Sequence, residues 1–493
     1  MPIEFPILNF FALSPIIVVI VLALIVMVVD MLSQDKTALG YLSALGLLGA
    51  LIPCVTLLNQ TKSPTFQNMV VSDGYAVVFY IIFIIAALLS ILIALTYLEE
   101  RGMQQGEYYI LILLSTCGMM LMAASTDLIV TFLGLEIMSI ALYVLAGFNR
   151  RLISSGEAGL KYFLLGAFAS AFFLYGVAFI YGATGSTNIH DIGTWFTDNP
   201  SYQSNPIALV GLALLIIGFA FKVAAVPFHW WTPDVYHGAP TSATAFMAVG
   251  AKAAGFAALV RILSISFGGV FTVQWQVAIS LLAVITMTGG NIAALAQKDV
   301  KRMLAYSSIA HAGYLLVGVA ALPPTGDELY RVQAVSGLLL YLMSYTFINI
   351  GAFAVVALLE KRGEIGTKLS DYTALSTRQP FIAFVMLLFM FSLTGIPPFI
   401  GFWGKWYVFW AAVDAQLSWL AAIGMINSAI SAFYYLSVVV QMYMRTEPAG
   451  DEAVPIALPA PIVVTVAVTA MFTLLFGLWP TPLIDLMSLG MFG

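Results

Sequence analysis

Apolar runs of 18 or more residues recur from one end of this 493-residue chain to the other, and they dictate its solvent. A helix needs about 20 predominantly apolar residues to cross a ~30 Å hydrocarbon core. With 61% of residues hydrophobic and only 9% charged, the pattern is that of an all-α polytopic membrane protein embedded in a lipid bilayer. The short alternating segments of an outer-membrane barrel are missing. Counting apolar runs between polar or Gly/Pro breaks gives about 14 spans, near 12–32, 38–59, 74–97, 107–124, 127–147, 157–182, 206–231, 241–264, 272–296, 302–322, 331–359, 380–411, 416–444 and 457–480. The first run is too long for a signal-peptide core and no basic region precedes it, so it is expected to be retained as a span. A net charge of -5 argues against a nucleic-acid surface. Cys54 and Cys117 both lie in apolar runs and read as packing residues, which leaves no disulfide framework and no cysteine-ligated iron–sulfur or zinc cluster.

Orientation follows from the 19 basic residues. Lys36, Arg101, Arg150, Arg151, Lys298, Lys301, Arg302, Lys361, Arg362, Lys368, Arg378 and Arg445 fall in one set of alternating loops, against Lys62, Arg261 and Arg331 in the other. The positive-inside rule makes the first set cytoplasmic or its equivalent and puts both termini on the opposite face. Spans 7 and 12 carry interior prolines, Pro227 and Pro233 in one and Pro397 and Pro398 in the other, and should be broken. They are five spans apart, an odd shift that reverses direction, so spans 4–8 and 9–13 read as two inverted five-helix repeats with helices 7 and 12 broken. The expected organisation is 1–106 for spans 1–3, 107–264 and 265–445 for the two repeats, and 446–493 for span 14.

The remaining four basic residues, Lys161, Lys222, Lys252 and Lys405, sit inside the apolar runs. A lysine at mid-bilayer costs roughly 3 kcal/mol on insertion scales, so a purely structural chain has little reason to keep them. Glu136 is near the centre of span 5. Lys161 has Glu157 four residues earlier on the same helix face and, taken alone, is compatible with snorkelling. Lys222 and Lys405 are next to the proline breaks, where freed carbonyls can accept hydrogen bonds from an ammonium group. Lys252 is too deep in span 8 to snorkel easily. His311, in span 10, holds in the second repeat the span position that Glu136 holds in the first; it reads either as a satisfied core histidine or as a relay beside Tyr306, Ser307 and Ser308. His190 is expected in a loop, while His229 and His237 flank the break of span 7. Trp230/Trp231 and Trp403/Trp406 read as packing or interface anchors.

Together, Glu136 on span 5, Lys222 before the PFHWWTPDVYHGAPT element, QKDVKRMLAYSSIAHAGY and GIPPFIGFWGKW resemble the antiporter-like membrane subunits of respiratory complex I over roughly residues 107–445. No long amphipathic segment follows the last span, unlike the L-type branch. Lys405 stands where the M-type generally has glutamate, which favours the N-type. The resemblance implies proton translocation: Glu136 paired with Lys222 and modulated by Lys161, Lys252 as central shuttle, His311 toward the second half-channel, and Lys405 at the exit side. It also implies no cofactor in this chain, with flavin, iron–sulfur clusters and quinone in partner subunits. The partners would be further antiporter-like subunits and small membrane subunits, in a prokaryotic plasma membrane or in a thylakoid or organelle inner membrane. A multi-subunit cation/proton antiporter of the same ancestry is the alternative. A scaffold whose ion pairs only set helix register is a third reading.

Overall fold

Asp35, Asp73, Asp127 and Asp299 each cap the start of a helix with their side chains. The computed structural model describes residues 8–58, 62–202, 205–323, 328–360, 366–446 and 458–492. In chain order the helices are α1 (Ser14–Leu32), α2 (Lys36–Leu57), α3 (Gly74–Arg101), α4 (Gly106–Ala124), α5 (Leu128–Ala146), α6 (Ile153–Thr184), α7 (Ile189–Asp198), α8 (Pro206–Lys222), α9 (Trp231–Gly238), α10 (Thr241–Phe246) and α11 (Lys252–Ser266). A π-helical turn, Met247–Ala251, joins α10 to α11. There follow α12 (Thr272–Leu295), α13 (Val300–Ala320), α14 (Glu328–Leu359), α15 (Leu375–Arg378), α16 (Pro380–Thr394), α17 (Ile400–Asp414), α18 (Ser418–Met444), α19 (Ala460–Leu478) and α20 (Thr481–Ser488). Among the described residues the one sheet is a small antiparallel hairpin of Ser63–Thr65 and Val70–Ser72. Among the described residues twelve helices are long and apolar enough to cross a membrane; the shorter apolar helices Pro206–Lys222 and Pro380–Thr394 are the first halves of the two proline-broken spans.

Contacts between helix ends sort the connections into two opposed sets. Val70 bridges Ser125, Asp127 bridges Asn188, Ser266 Oγ donates to Ile189 O, and Tyr75 N–H donates to Met491 O. On the other side, Asp299 bridges Lys368, Lys301 Nζ donates to Ala239 O, and Arg101 donates to Glu360 O. These are the two alternating loop sets of the basic-residue count.

The inverted repeats are visible in matching hydrogen bonds. Asp127 caps α5, its carboxylate accepting from Thr187 Oγ1, with Leu128 N–H on Thr187 O and Ile189 N–H on Thr126 O. On the opposite face Asp299 caps α13, accepts from Thr367 Oγ1, and has Val300 N–H on Thr367 O and Leu369 N–H on Lys298 O. In the same register, a Cβ at Gly118 would meet Met138 N at 2.5 Å, and one at Gly290 would meet Ala310 N at 2.6 Å. Only glycine lets α4 lie so close on α5 and α12 on α13.

The breaks match as well. Ala225 N–H donates to Ala220 O, Ala224 N–H to Phe221 O and Phe228 N–H to Ala225 O; Ile396, Gly395 and Phe399 repeat these bonds to Phe391, Ser392 and Ile396. Both paths turn through a left-handed residue, Ala224 at φ 62° and Gly395 at φ 89°. Several expectations need correction. Span 7 does not continue to residue 231: α8 stops at Lys222, and α9 carries the second half on to Gly238. His190 lies in the short helix α7 rather than a loop, because Asn188 caps it. Arg261, counted with the loops, is buried in α11, where Asp73 takes it in two bonds of 2.7 and 2.8 Å. Lys301 is likewise buried in the first turn of α13. Lys361 and Arg362 lie outside the described residues. Cys54 and Cys117 are buried, as their apolar settings imply.

Candidate functional site

Each expected site residue is placed by one of these local devices. The Asp127 cap starts α5 so that Glu136 falls at its middle, one turn before Ser139 and on the same face. Glu136 Oε1 accepts from Ser170 Oγ on α6. Lys222 is the last residue of α8, is 4% exposed, and donates from Nζ to Ser139 Oγ at 2.7 Å and to Tyr143 OH at 3.4 Å. Among the described residues Glu136 and Lys222 make no direct ion pair; Ser139 connects Lys222 to the helix face of Glu136. The pairing implied by the resemblance is therefore not a contact ion pair: Lys222 meets hydroxyls of α5, and Glu136 takes its hydrogen bond from Ser170. Ser139 also donates to Leu135 O.

Lys252 begins α11 immediately after the π-helical turn, which shifts the helix phase by a residue. Its ammonium group donates to both Ser308 O and Ser308 Oγ on α13 and lies 5.7 Å from the Tyr345 ring centre. In the register set by Asp127 and Asp299, Ser308 is the counterpart of Glu136, and His311 is the counterpart of Ser139. Lys222 thus meets a hydroxyl on α5 at the position that matches His311, whereas Lys252 meets Ser308, the position on α13 that matches Glu136.

His311 is 3% exposed and its partners come from α14 and α18 rather than from its own helix neighbours. Nδ1 is 2.6 Å from Tyr341 OH and Nε2 is 3.0 Å from Tyr435 OH, so one ring nitrogen donates and the other accepts in the neutral form. Tyr435 OH also bonds Ser307 Oγ, beside the serine that holds Lys252. A cavity between His311, Tyr341, Tyr345, Ser392 and Gly404 leaves about 10 Å³ for the centre of a water molecule, room for about one.

Lys405 lies in α17, 5% exposed, and reaches back across the break. Its Nζ donates to Leu393 O at 2.9 Å, Thr394 O at 2.8 Å and Ser428 Oγ at 2.8 Å. In an unbroken helix those carbonyls would accept from residues 397 and 398, which are prolines and have no N–H. The expectation that freed carbonyls hold an ammonium group thus holds for Lys405. It does not hold for Lys222, whose partners are side-chain hydroxyls. Tyr314, whose ring centre is 4.9 Å from Lys405 Nζ, continues the polar line through Asn291 Nδ2 at 3.0 Å.

Lys161 sits apart, at the basic-loop end of α6 and about two-fifths exposed. It pairs with Glu157 at 2.6 Å and with Asp234 at 2.7 Å. Sequence reasoning missed Asp234, Tyr341, Tyr435 and the buried Glu360, which accepts from Tyr97 OH and Thr241 Oγ1 and lies 3.8 Å from Lys301. Asp234 was within reach, as an acid inside the same PDVYHG element as the break. The tyrosines carried no signal, because their pairing with His311 depends on helices far apart in the chain.

Residues 125–431 match the family described as NADH:quinone oxidoreductase/Mrp antiporter, TM. The chain is 48% identical over 483 residues to NADH-quinone oxidoreductase subunit N of Trichlorobacter lovleyi, covering 98% of this chain and 96% of that protein. It is 44% identical over 482 residues to the protein of the same description from Chloroflexus aggregans, covering 97% and 96%. Among solved structures, a chain of respiratory complex I from Thermus thermophilus with bound aureothin superimposes with a TM-score of 0.79 at 32% identity, covering 96% of this chain and 98% of that one. A chain of the Mrp complex from Dietzia sp. DQ12-45-1b reaches a TM-score of 0.84 at 20% identity, over 98% and 97%, and shares the fold. With the family match, these full-length similarities and the inverted broken-helix architecture in agreement, this chain belongs to the NADH:quinone oxidoreductase/Mrp antiporter family, as an N-type antiporter-like subunit of complex I.

Proposed function

We propose that this chain is a proton-translocating membrane-arm subunit of a complex I-type donor:quinone oxidoreductase, and that protons pass through its own buried glutamate, lysines and histidine. The observation that carries this reading is a pair of buried hydrogen-bonded runs, Lys252–Ser308 and Ser307–Tyr435–His311–Tyr341, which meet at adjacent residues of α13. An amine, hydroxyls and an imidazole can each give up one proton and accept another, so small rearrangements along such runs move charge. In this scheme Glu136 and Lys222 load the first half-channel through Ser139, Lys252 is the central shuttle, His311 hands on toward the second half, and Lys405 is the exit-side group.

The chain's part in the enzyme is coupling. Redox chemistry on flavin, iron–sulfur clusters and quinone is assigned to partner subunits, and energy reaches this chain through neighbouring antiporter-like and small membrane subunits. The basic loop set is assigned to the cytoplasmic face of a prokaryotic plasma membrane, with both termini on the other side. The functional units are residues 107–264 and 265–445, flanked by 1–106 and 446–493. Replacing Lys222 with Met or Glu136 with Gln in the assembled complex should abolish or sharply reduce donor-driven proton transport in membrane vesicles. Parent-level transport in both variants would sink the assignment.

A further inference from the structure

Lys161 stands apart from Lys222, Lys252 and Lys405, which are buried. Its ammonium group has no bond to Glu136 or Lys222 among the described residues, and it is held instead by Glu157 and by Asp234 Oδ2. The other oxygen of Asp234, Oδ1, accepts from Arg302 at 3.0 Å. Arg302 is in the first turn of α13, in the second repeat, whereas Lys161 is on α6, in the first. One carboxylate therefore joins the two repeats.

Asp234 stands on α9, a two-turn rod that starts at Trp231. Positions 231 and 234 share a helix face. The Trp231 indole stacks on Tyr162 at 4.4 Å, beside Lys161 in the chain, and its Nε1 donates to Phe221 O at 3.1 Å, the residue before Lys222. A shift of Asp234 is thus a shift of Trp231, and Trp231 is bonded to the turn that aims Lys222 at Ser139. The pairs themselves are a third or more exposed, so their attraction adds little to stability. Their value lies in where they hold α9.

We propose that Asp234 is a positioning residue for proton transfer: by sharing its carboxylate between Lys161 and Arg302 it sets α9, and through Trp231 the Lys222 turn, so that Lys161 acts through Asp234 and the second repeat is tied to the first repeat's lysine. The inference rests on the proton-translocating reading above. It makes Lys161 and Asp234 members of one device, and members of one device are not additive when removed.

The test is a double-mutant cycle in the assembled complex, read as donor-driven proton transport in membrane vesicles and normalised to complex content. Lys161→Met and Asp234→Asn should each slow transport on the order of fivefold. The double variant should be no slower than either single one. Arg302→Gln should reproduce Asp234→Asn, and Asp234→Glu should restore most of the rate, which a packing defect would not allow. Multiplicative losses in the double variant, or parent-level transport in Asp234→Asn, overturn the inference while leaving the function intact. A parent complex that moves no protons overturns the functional reading and this inference with it.

Discussion

The two helix breaks follow the same backbone path, yet they solve the problem of their freed carbonyls in opposite ways. In the second break, Lys405 donates to both carbonyls that Pro397 and Pro398 leave without a backbone partner. In the first, the corresponding carbonyls are those of Lys222 and Val223. Val226 N–H turns away to Thr286 Oγ1 at 2.9 Å, Pro227 has no N–H, and no donor among the described residues reaches either carbonyl. The indole of Trp231 takes the carbonyl one residue earlier instead. Lys405 is thus both a buried charge and a structural cap, whereas Lys222 is released from capping and meets only hydroxyls of α5. The lesson is that two lysines beside matching prolines need not do matching work: one lies before its break and faces the neighbouring helix, the other lies after its break and faces back into it.

The largest expected difference is between Lys222→Met and Lys405→Met. Both should cut proton transport, on the order of a hundredfold for a group that carries the proton itself. Only Lys405→Met should also destabilise the chain, by about 1–3 kcal/mol, because it strands Leu393 O and leaves Thr394 O to the Ser428 hydroxyl alone. Thermal unfolding of the purified complex distinguishes them, and equal midpoints would break the comparison. A reciprocal exchange at the left-handed residues comes next. Gly395→Ala places a Cβ 2.9 Å from Lys405 Cδ at a positive φ, so it should strain the turn and lower transport several-fold, a penalty of about 1–2 kcal/mol. Ala224→Gly relieves the same kind of backbone and should leave transport and assembly at parent level. If both exchanges are silent, the turn does not aim Lys405. The smallest effect is Trp231→Phe, which keeps the stack on Tyr162 but removes the N–H from Phe221 O. It should cost about 1 kcal/mol in thermal stability, and a loss no smaller than that of Lys405→Met would mean that the first break is held as tightly as the second.

Much of this fold is legible one residue at a time. Apolar runs specify spans because a bilayer core leaves a helix as the local way to satisfy a backbone, and Pro227, Pro397 and Pro398 mark the breaks because they cannot donate. The inverted repeat is legible in the odd shift of five spans between those breaks, whereas its matching caps, Asp127 with Thr187 and Asp299 with Thr367, emerge in the structure. What misled was one-dimensional neighbourhood. His311 has Tyr306, Ser307 and Ser308 nearby in sequence, but a histidine on α13 points at Tyr341 and Tyr435 of other helices. Arg261 sits near a span end and by position reads as a loop residue, although Asp73, 188 positions away, pairs with it in the core.

The sequence by itself determined the solvent, the alternation of faces, the two broken spans and the set of costly charges, since each follows from the local price of placing a polar group or a proline in hydrocarbon. Only the tertiary structure decided partners. It decided that Lys222 donates to Ser139 on the face that carries Glu136, that Lys252 rests on Ser308, that Lys405 caps its own break, and that Lys161 answers to Asp234 and not to Glu136. Hydrogen bonds reach about 3 Å, whereas these partners lie 11 to 83 residues apart, so helix packing brings them within range.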